Sequence, residues 1–462
     1  MSNTTETAWQ DPTVRVQPGR TEPAAGPMMG ALGGPMGRFA IVGRQPWWTP
    51  LRTLIFIALT FLSFGYMTKA NCLQGAVGED GTVGLNWSGN RQYMSACYND
   101  ILPLYNGRGL NMPGNPYAYS WKEGDLTRYM EYPVLSGLFQ GAMGALTRWT
   151  YPLIEALGLT VAEASWYFTL TALVLSAMWV ITIRYVAELA GNRVWDTVLV
   201  AASPLIIVHA FTNWDIPSIL ALVLAMVAWR RGRPGWAGVW IGVGTALKLW
   251  PLYLLGALLI VALRRHRFPA FLWSLATTVV TWVAVNAPIA YLYPDAWREF
   301  LRLNEDRGAE WTTIYEILAR TTGLQLQPET INTISFVAFA AICLGVFVLG
   351  MKAGAVPTVP ELLFLIVAGF ILVNKVWSPQ YSLWLVVPAV LALPRWRLLL
   401  SWMVVDMLVW PATMIFIGAE AGNGLPPELF NLLLIVRGGF IVAIALLIIG
   451  QVWNREASIS TS

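Results

Sequence analysis

The feature that most constrains this chain is the recurrence, about 12 times between residues 51 and 450, of apolar stretches close to membrane-spanning length. They fall near 51–68, 163–187, 195–212, 217–229, 235–248, 250–263, 269–292, 333–351, 357–373, 380–393, 398–417 and 429–450. A hydrocarbon layer offers no water to unpaired backbone groups, so stretches of this kind cross it as helices. Charged residues make up 12% of the 462 positions and hydrophobic residues 56%, about half the charge fraction of an ordinary soluble domain. The pattern predicts an all-α polytopic membrane protein of about 12 transmembrane helices. The net charge of +4 says little, because in such a chain it is the placement of Lys and Arg that carries information.

That placement is one-sided. The joints "RRGR" (230–233), "RRHR" (264–267) and "RWR" (395–397), with Arg184 and Arg193, are short and basic and fall on a single face at this count. By the positive-inside rule that face is the cytoplasm, and both termini join it. The first 37 residues, rich in Pro, Gly, Thr and Met, show no apolar core behind a basic start, so they are no secretory signal. A disordered cytoplasmic tail is expected over 1–50, a membrane domain over 51–455 and a short cytoplasmic tail over 456–462. The opposite face carries two long loops, 69–162 and 294–332, which read as a lid or an acceptor surface.

Lys248 stands in the apolar run "GTALKLWPLYLL" (244–255). A cation inside a bilayer costs about 2.5–3.5 kcal/mol unless it reaches the interface or meets an anion. The interval from Arg233 to Arg264 is roughly 45 Å as continuous helix, short of the roughly 60 Å that two full crossings need. A short, broken hairpin turning at Trp250-Pro251 satisfies both constraints and places Lys248 in the outer half of the membrane. Lys375 in "NKVWSPQY" and Arg437 in "LLLIVRGGF" map to the same depth. Three cations there suggest an anion at headgroup level, a phosphate or pyrophosphate borne by lipid. For Arg437 the bland alternative is neutralisation by Asp406 in a neighbouring span.

A carboxylate near the membrane surface is the simplest general base. Asp100, between Tyr98 and Tyr105 in the first loop, is the first candidate, and helical spacing would set it beside Cys97 and Leu104 on a short helix. Its alternative is a solvated loop acid. Glu131, before Tyr132-Pro133, is the second, though it could equally serve the dipole of the helix that starts there. "VHAFTNWDIP" adds Asn213 and Asp215 at an outer turn, and Gln380 lies in another. Tyr98, Tyr105, Tyr132, Trp121 and Trp311 suit stacking on a sugar, but with 24 tryptophans in the chain an aromatic belt explains any one of them as well. Cys72 and Cys97, both in the first loop, could form a disulfide there, and Cys343 lies in a span. With two histidines in the whole sequence, a protein-held zinc site is not expected.

"YNDILPLYNGRGL" followed by "NPY" and "YPVL", "RRGRPGWAGVWIGVGTALKLWPLYLL" with its Lys-x-x-Pro, and "KVWSPQYSLWLVVP" together resemble glycosyltransferase family 87. These are GT-C-class membrane enzymes that take sugars from polyprenyl phosphates, and the similarity is to mycobacterial-type members. It runs from about residue 52 to 455. The family often has Tyr-Pro-Pro where Tyr132-Pro133-Val134 stands, which weakens any transfer of acceptor specificity. The resemblance implies that Asp100 matches the first-loop acid, the general base, and Lys248 the Lys-x-x-Pro lysine. Glu131, Lys375 and Arg437 gain no role from it.

The expected function is glycosyl transfer, of mannose or arabinose, from a polyprenyl-phosphate donor to an envelope glycan or glycolipid at the outer face of the plasma membrane. Its partners are that lipid-linked donor, the acceptor and membrane lipid, with no nucleic acid. The sequence requires no cofactor and leaves a divalent metal open. Two alternatives belong to other classes. A flippase for a lipid-linked glycan would need Lys248 but not Asp100, and a non-catalytic assembly partner would need neither.

Overall fold

The computed structural model describes residues 47–79, 81–418 and 424–455. The expected tails therefore lie outside the described residues, except that Trp47–Thr49 lead into the first helix. In chain order come α1 (Pro50–Met67), the hairpin β1 (Gly75–Val77) and β2 (Val83–Leu85), α2 (Arg91–Met94), α3 (Ile101–Gly107), and a second hairpin, β3 (Trp121–Glu123) and β4 (Leu126–Arg128). Helices α4 (Val134–Ala156), α5 (Glu163–Ala190), α6 (Val198–Ala201), α7 (Pro204–His209), α8 (Ile216–Arg230), α9 (Pro234–Leu247), α10 (Leu254–Arg264) and α11 (Phe268–Leu292) follow. After α12 (Pro294–Asp306) and α13 (Ile314–Thr322), the chain ends in α14 (Pro328–Lys352), α15 (Val359–Val373), α16 (Leu383–Ala392), α17 (Trp396–Gly418) and α18 (Pro427–Asn454).

Among the described residues 6 helical runs are long and apolar enough to cross a membrane: α1, Glu163–Ala201, α11, α14, α17 and α18. They are sparsely buried, and residues such as Phe336, 75% exposed, turn outward. A helix that shows apolar residues to its surroundings belongs in lipid. The shorter apolar helices behave oppositely: every residue of α16, and most of α8 and α15, is buried. Short helices form the centre and long ones the perimeter.

Helix α9 lies tightly between α8 and α11 because Gly238 and Gly242 allow it. A Cβ at Gly238 would collide with the Ser274 carbonyl and Thr277, and one at Gly242 would stand 2.8 Å from the Thr278 carbonyl. This is the small-xxx-small approach of membrane helices. Helix α9 stops at Lys248, whose backbone is extended (φ −153°, ψ 147°), and a 3-10 turn over Trp250–Tyr253 leads into α10. Pro251, three residues on, cannot supply the N–H that would continue the ladder. The basic joints cap neighbouring helix ends: Arg230 donates to the Glu188 and Leu189 carbonyls, and Arg264 to that of Met351 at 2.6 Å. Cations at C-termini also complement the helix dipole.

The first long loop of the sequence contains a helix of 23 residues, α4. Tyr117, Pro116 and Leu110 lie against its Gly137, Gly141 and Gly144. Trp166 in the first turn of α5 donates to Thr150 at 2.8 Å. Both ends of α4 thus meet the loop side of the molecule, so it lies across the helix ends with Trp149 79% exposed. The two loops are tied together by the buried Glu299 of α12, which pairs with Arg128 at 3.3 Å and Arg302 at 2.5 Å. Arg302 also donates to the Thr127 carbonyl.

Candidate active site

A cavity of about 580 Å³ opens where the two loops meet the ends of the short helices. Its floor is the turn after α7 and the break after α9, one wall is the first loop, and the other is the second loop with the segment joining α15 to α16.

Asp100 is fixed from several directions. Its backbone N–H donates to the Thr212 carbonyl at 2.8 Å. Cys72 and Cys97 form a disulfide, Cα to Cα 5.7 Å, three residues before it. Lys69, fully buried just beyond α1, donates to the Tyr98 carbonyl at 3.1 Å and lies 4.7 Å over the Trp410 ring. The Trp410 indole donates to the carbonyl of Ala96, a non-glycine residue held at φ 50°. Such strain persists only where the surroundings over-determine it. Asp100 itself is the cap of α3 rather than a residue within it, so the expected helical row of Cys97, Asp100 and Leu104 does not form.

The Asp100 carboxylate accepts from Asn213 Nδ2 at 2.7 Å and from the Tyr98 hydroxyl. Asn213 Nδ2 is also 3.2 Å from the Tyr132 hydroxyl, and Tyr132 packs edge-on to Trp214 at 5.4 Å. Burial raises the Asp100 carboxyl to about 6, opposed by those two hydrogen bonds and by Lys248, with Asp215 adding to the rise. Burial and Asp100 together hold the Tyr132 phenol well above its ordinary range. The result is a carboxylate that exchanges its proton near neutrality, facing open space, which is what a general base requires.

Lys248 has an anion within the chain. Its Nζ is 2.5 Å from Asp215 Oδ1, with the two side chains 11% and 1% exposed. The same oxygen accepts from the Trp384 indole at 2.8 Å, and Trp384 stacks between Tyr381 and Trp250 at 3.9 and 5.2 Å. The sequence had pointed to a lipid-borne anion. The structure adds a nearer one, since Asp215, 33 residues earlier, pairs with Lys248 within the chain, and Lys248 also lines the cavity. Glu131 lines it too, already paired to Arg108 at 2.6 Å, with that guanidinium 4.1 Å over Trp121.

The remaining candidates divide. Tyr98, Tyr132, Asn213 and Gln380 line the cavity. Tyr105 does not: it donates to Glu163 at 2.8 Å and stacks on Tyr167 at 4.5 Å, joining α3 to α5. Lys375 stands behind the wall, its Nζ taken by the Glu305 and Arg307 carbonyls at 3.1 and 2.7 Å. Arg437 is fully buried, 2.9 Å from Asp406, 3.0 Å from Ser382 and 3.9 Å over Trp377. Neither cation faces the cavity, and the bland reading of the Asp406–Arg437 pair is the geometry found.

Sequence reasoning passed over Arg307 and Glu310, which line the second wall. Arg307 enters no ion pair or side-chain hydrogen bond among the described residues, whereas Lys248 and Arg108 are both paired. Glu310 accepts from Ser378 at 2.6 Å. Their stretch, "NEDRGAEW", mixes charges in a way that resembles a solvated loop, and only its packing against residues 374–378 distinguishes it. Among the described residues no group of three His, Cys, Asp or Glu is placed to hold a metal ion.

The family model for Glycosyltransferase family 87 matches residues 147–379, half of the chain. The matched stretch takes in Asn213, Asp215, Lys248, Arg307, Glu310, Lys375 and Gln380 but begins beyond Asp100 and Glu131. A search of curated proteins finds no match.

Proposed function

The chain belongs to glycosyltransferase family 87 and is a membrane glycosyltransferase, and on that premise we propose that it moves a sugar, mannose or arabinose, from a polyprenyl phosphate to an envelope glycan or glycolipid. The observation that supports this best is the pairing, in one cavity, of a carboxylate poised near neutrality with cations on the facing surfaces.

In this reading the shorter helices cross as well, giving about 12 crossings with both termini in the cytoplasm of a plasma-membrane protein of GT-C type. Helix α8 has 15 residues, about 22 Å, against a hydrocarbon core of about 30 Å. With its basic end at the cytoplasmic surface, Asp215 at the other end sits about 8 Å below the outer one. Lys248 shares that depth through its pair with Asp215. A phosphate carried on a lipid tail reaches such a recess from the side.

The acceptor hydroxyl gives its proton to Asp100 as its oxygen attacks the anomeric carbon. The bond from that carbon to the phosphate oxygen breaks, with inversion, and polyprenyl phosphate leaves as an anion. Such a leaving group needs no protein acid. General-base catalysis of this kind contributes about 10²–10⁴-fold. Lys248 and Arg307 stabilise the charge growing on the phosphate, which counts for more in a site poor in water. Because Asp215 already neutralises Lys248, the unpaired Arg307 carries the larger share of the attraction.

The test is a transfer assay in membranes of a deletion strain, offering radiolabelled polyprenyl-phosphate mannose and arabinose in turn. Label reaching an acceptor with the wild-type chain and not with empty membranes is the expected result, and it names the sugar. Label moving from neither donor would overturn the donor class.

A further inference from the structure

The second wall of the cavity holds a carboxylate that the transfer step does not use. Glu310 Oε1 accepts from Ser378 at 2.6 Å. Its other oxygen, Oε2, is buried and has no hydrogen-bond partner among the described residues. A buried oxygen without a partner is exceptional and costly in a folded protein. The side chain is also poorly placed to swing away in search of one. The Glu310 N–H donates to the Lys375 carbonyl at 2.9 Å, and the Glu310 carbonyl accepts both the N–H and the hydroxyl of Thr313, the cap of α13. Lys375 in turn holds the Glu305 and Arg307 carbonyls, and Thr312 bonds the Trp377 carbonyl. Residues 305–313 are thereby fastened along 374–378, and Glu310 is held in place in the lining of the cavity.

A carboxylate repels phosphate and accepts hydrogen bonds, and the donors a sugar offers are its hydroxyls. Arg307, three residues earlier on the same wall, is the unpaired cation to which the donor phosphate is drawn. The sugar bonded to that phosphate then lies beside Glu310, while the acceptor approaches Asp100 on the first-loop wall. We propose that Glu310 reads the transferred sugar, its Oε2 accepting from one ring hydroxyl of the donor and so setting which sugar is taken. The inference rests on the transfer reading above.

The experiment compares wild type with Glu310→Gln, as the full chain in native membranes, using polyprenyl-phosphate mannose and arabinose and the monodeoxy analogues of each. A hydrogen bond to a charged group gives about 10- to 100-fold discrimination. Wild type is expected to reject one deoxy donor by that factor in kcat/KM. Glu310→Gln should lose a similar factor on the parent sugar and treat the parent and that deoxy donor alike. Thermal stabilisation of purified protein by sugar-free polyprenyl phosphate should be equal in the two, showing an intact fold and phosphate site. An unchanged deoxy profile in Glu310→Gln, an equal loss on every donor, or loss of the stabilisation by sugar-free polyprenyl phosphate would each overturn the assignment. Absence of transfer by wild type from any donor is a different result, and it would overturn the donor class on which the assignment rests.

Discussion

Removing the Lys248–Asp215 pair one partner at a time should produce strongly non-additive losses of stability. Lys248→Met keeps most of the stem and leaves Asp215, 1% exposed, with the Trp384 indole but without a cation. Stranding a buried charge in this way costs about 3–5 kcal/mol. Asp215→Asn strands Lys248 instead, but that side chain lines the cavity at 11% exposure and can turn toward water, so about 1–3 kcal/mol is expected, the range for an unsatisfied group. The double variant leaves no charge behind and should therefore lose less than Lys248→Met alone, so the two single losses over-count by at least the roughly 0.5–3 kcal/mol seen for contacting residues. The assay is reversible unfolding in mixed micelles at one pH and one lipid-to-detergent ratio. Losses that add to within about 0.5 kcal/mol, the behaviour of independent sites, would refute the claim that the chain supplies the counter-ion of Lys248.

Because Asp100 must be ionised to act and its carboxyl stands at about 6, raised from 3.8, transfer should fall tenfold per pH unit below about 6 and level off above it. Since the folded state holds this proton more tightly than the unfolded chain, the same group lowers stability as pH rises from about 4 to about 6. A pH–rate profile that stays flat down to pH 5 would contradict the assignment. Arg307→Met should weaken donor binding by tenfold or more and leave thermal stability nearly unchanged, as measured by KM and melting temperature, because the Arg307 side chain forms no ion pair or hydrogen bond among the described residues. Cys72→Ser/Cys97→Ser opens a loop with a sequence separation of 25, worth about 3.5 kcal/mol in the chain-entropy account. It should lower both stability and kcat, because Asp100 follows Cys97 by three residues, and non-reducing electrophoresis of the wild type checks the bond itself.

How much was legible beforehand follows from which signals are local. A lysine inside an apolar run is conspicuous, so Lys248 could be singled out, and Pro251 showed where its helix ends. Its partner could not be named, because the pairing of Asp215 with Lys248 depends on how α8 packs against α9. Asp100 was legible through its aromatic neighbours, whereas its fixed position comes from Lys69, Thr212, Asn213 and Trp410, which converge only in the fold. Helix α4 was hidden because Gln140, Thr147, Arg148 and Thr150 interrupt its apolar face, so it reads as loop at the scale of a span. Arg437 and Lys375 are engaged away from the cavity lining, and a sequence gives the depth of a cation but not the direction its side chain takes. Arg307 and Glu310 carried the opposite problem, sitting among charges that in most loops are merely solvated.

The most direct test of the account is the rate of transfer by Asp100→Asn at saturating donor and acceptor. The substituted amide keeps the size and the Asn213 side of the site but cannot take a proton. A fall in kcat of about 10²–10⁴-fold, with KM for the donor little changed, is the predicted result. Transfer at the wild-type rate would contradict the account and move the base elsewhere, first to Glu131, which lines the same cavity.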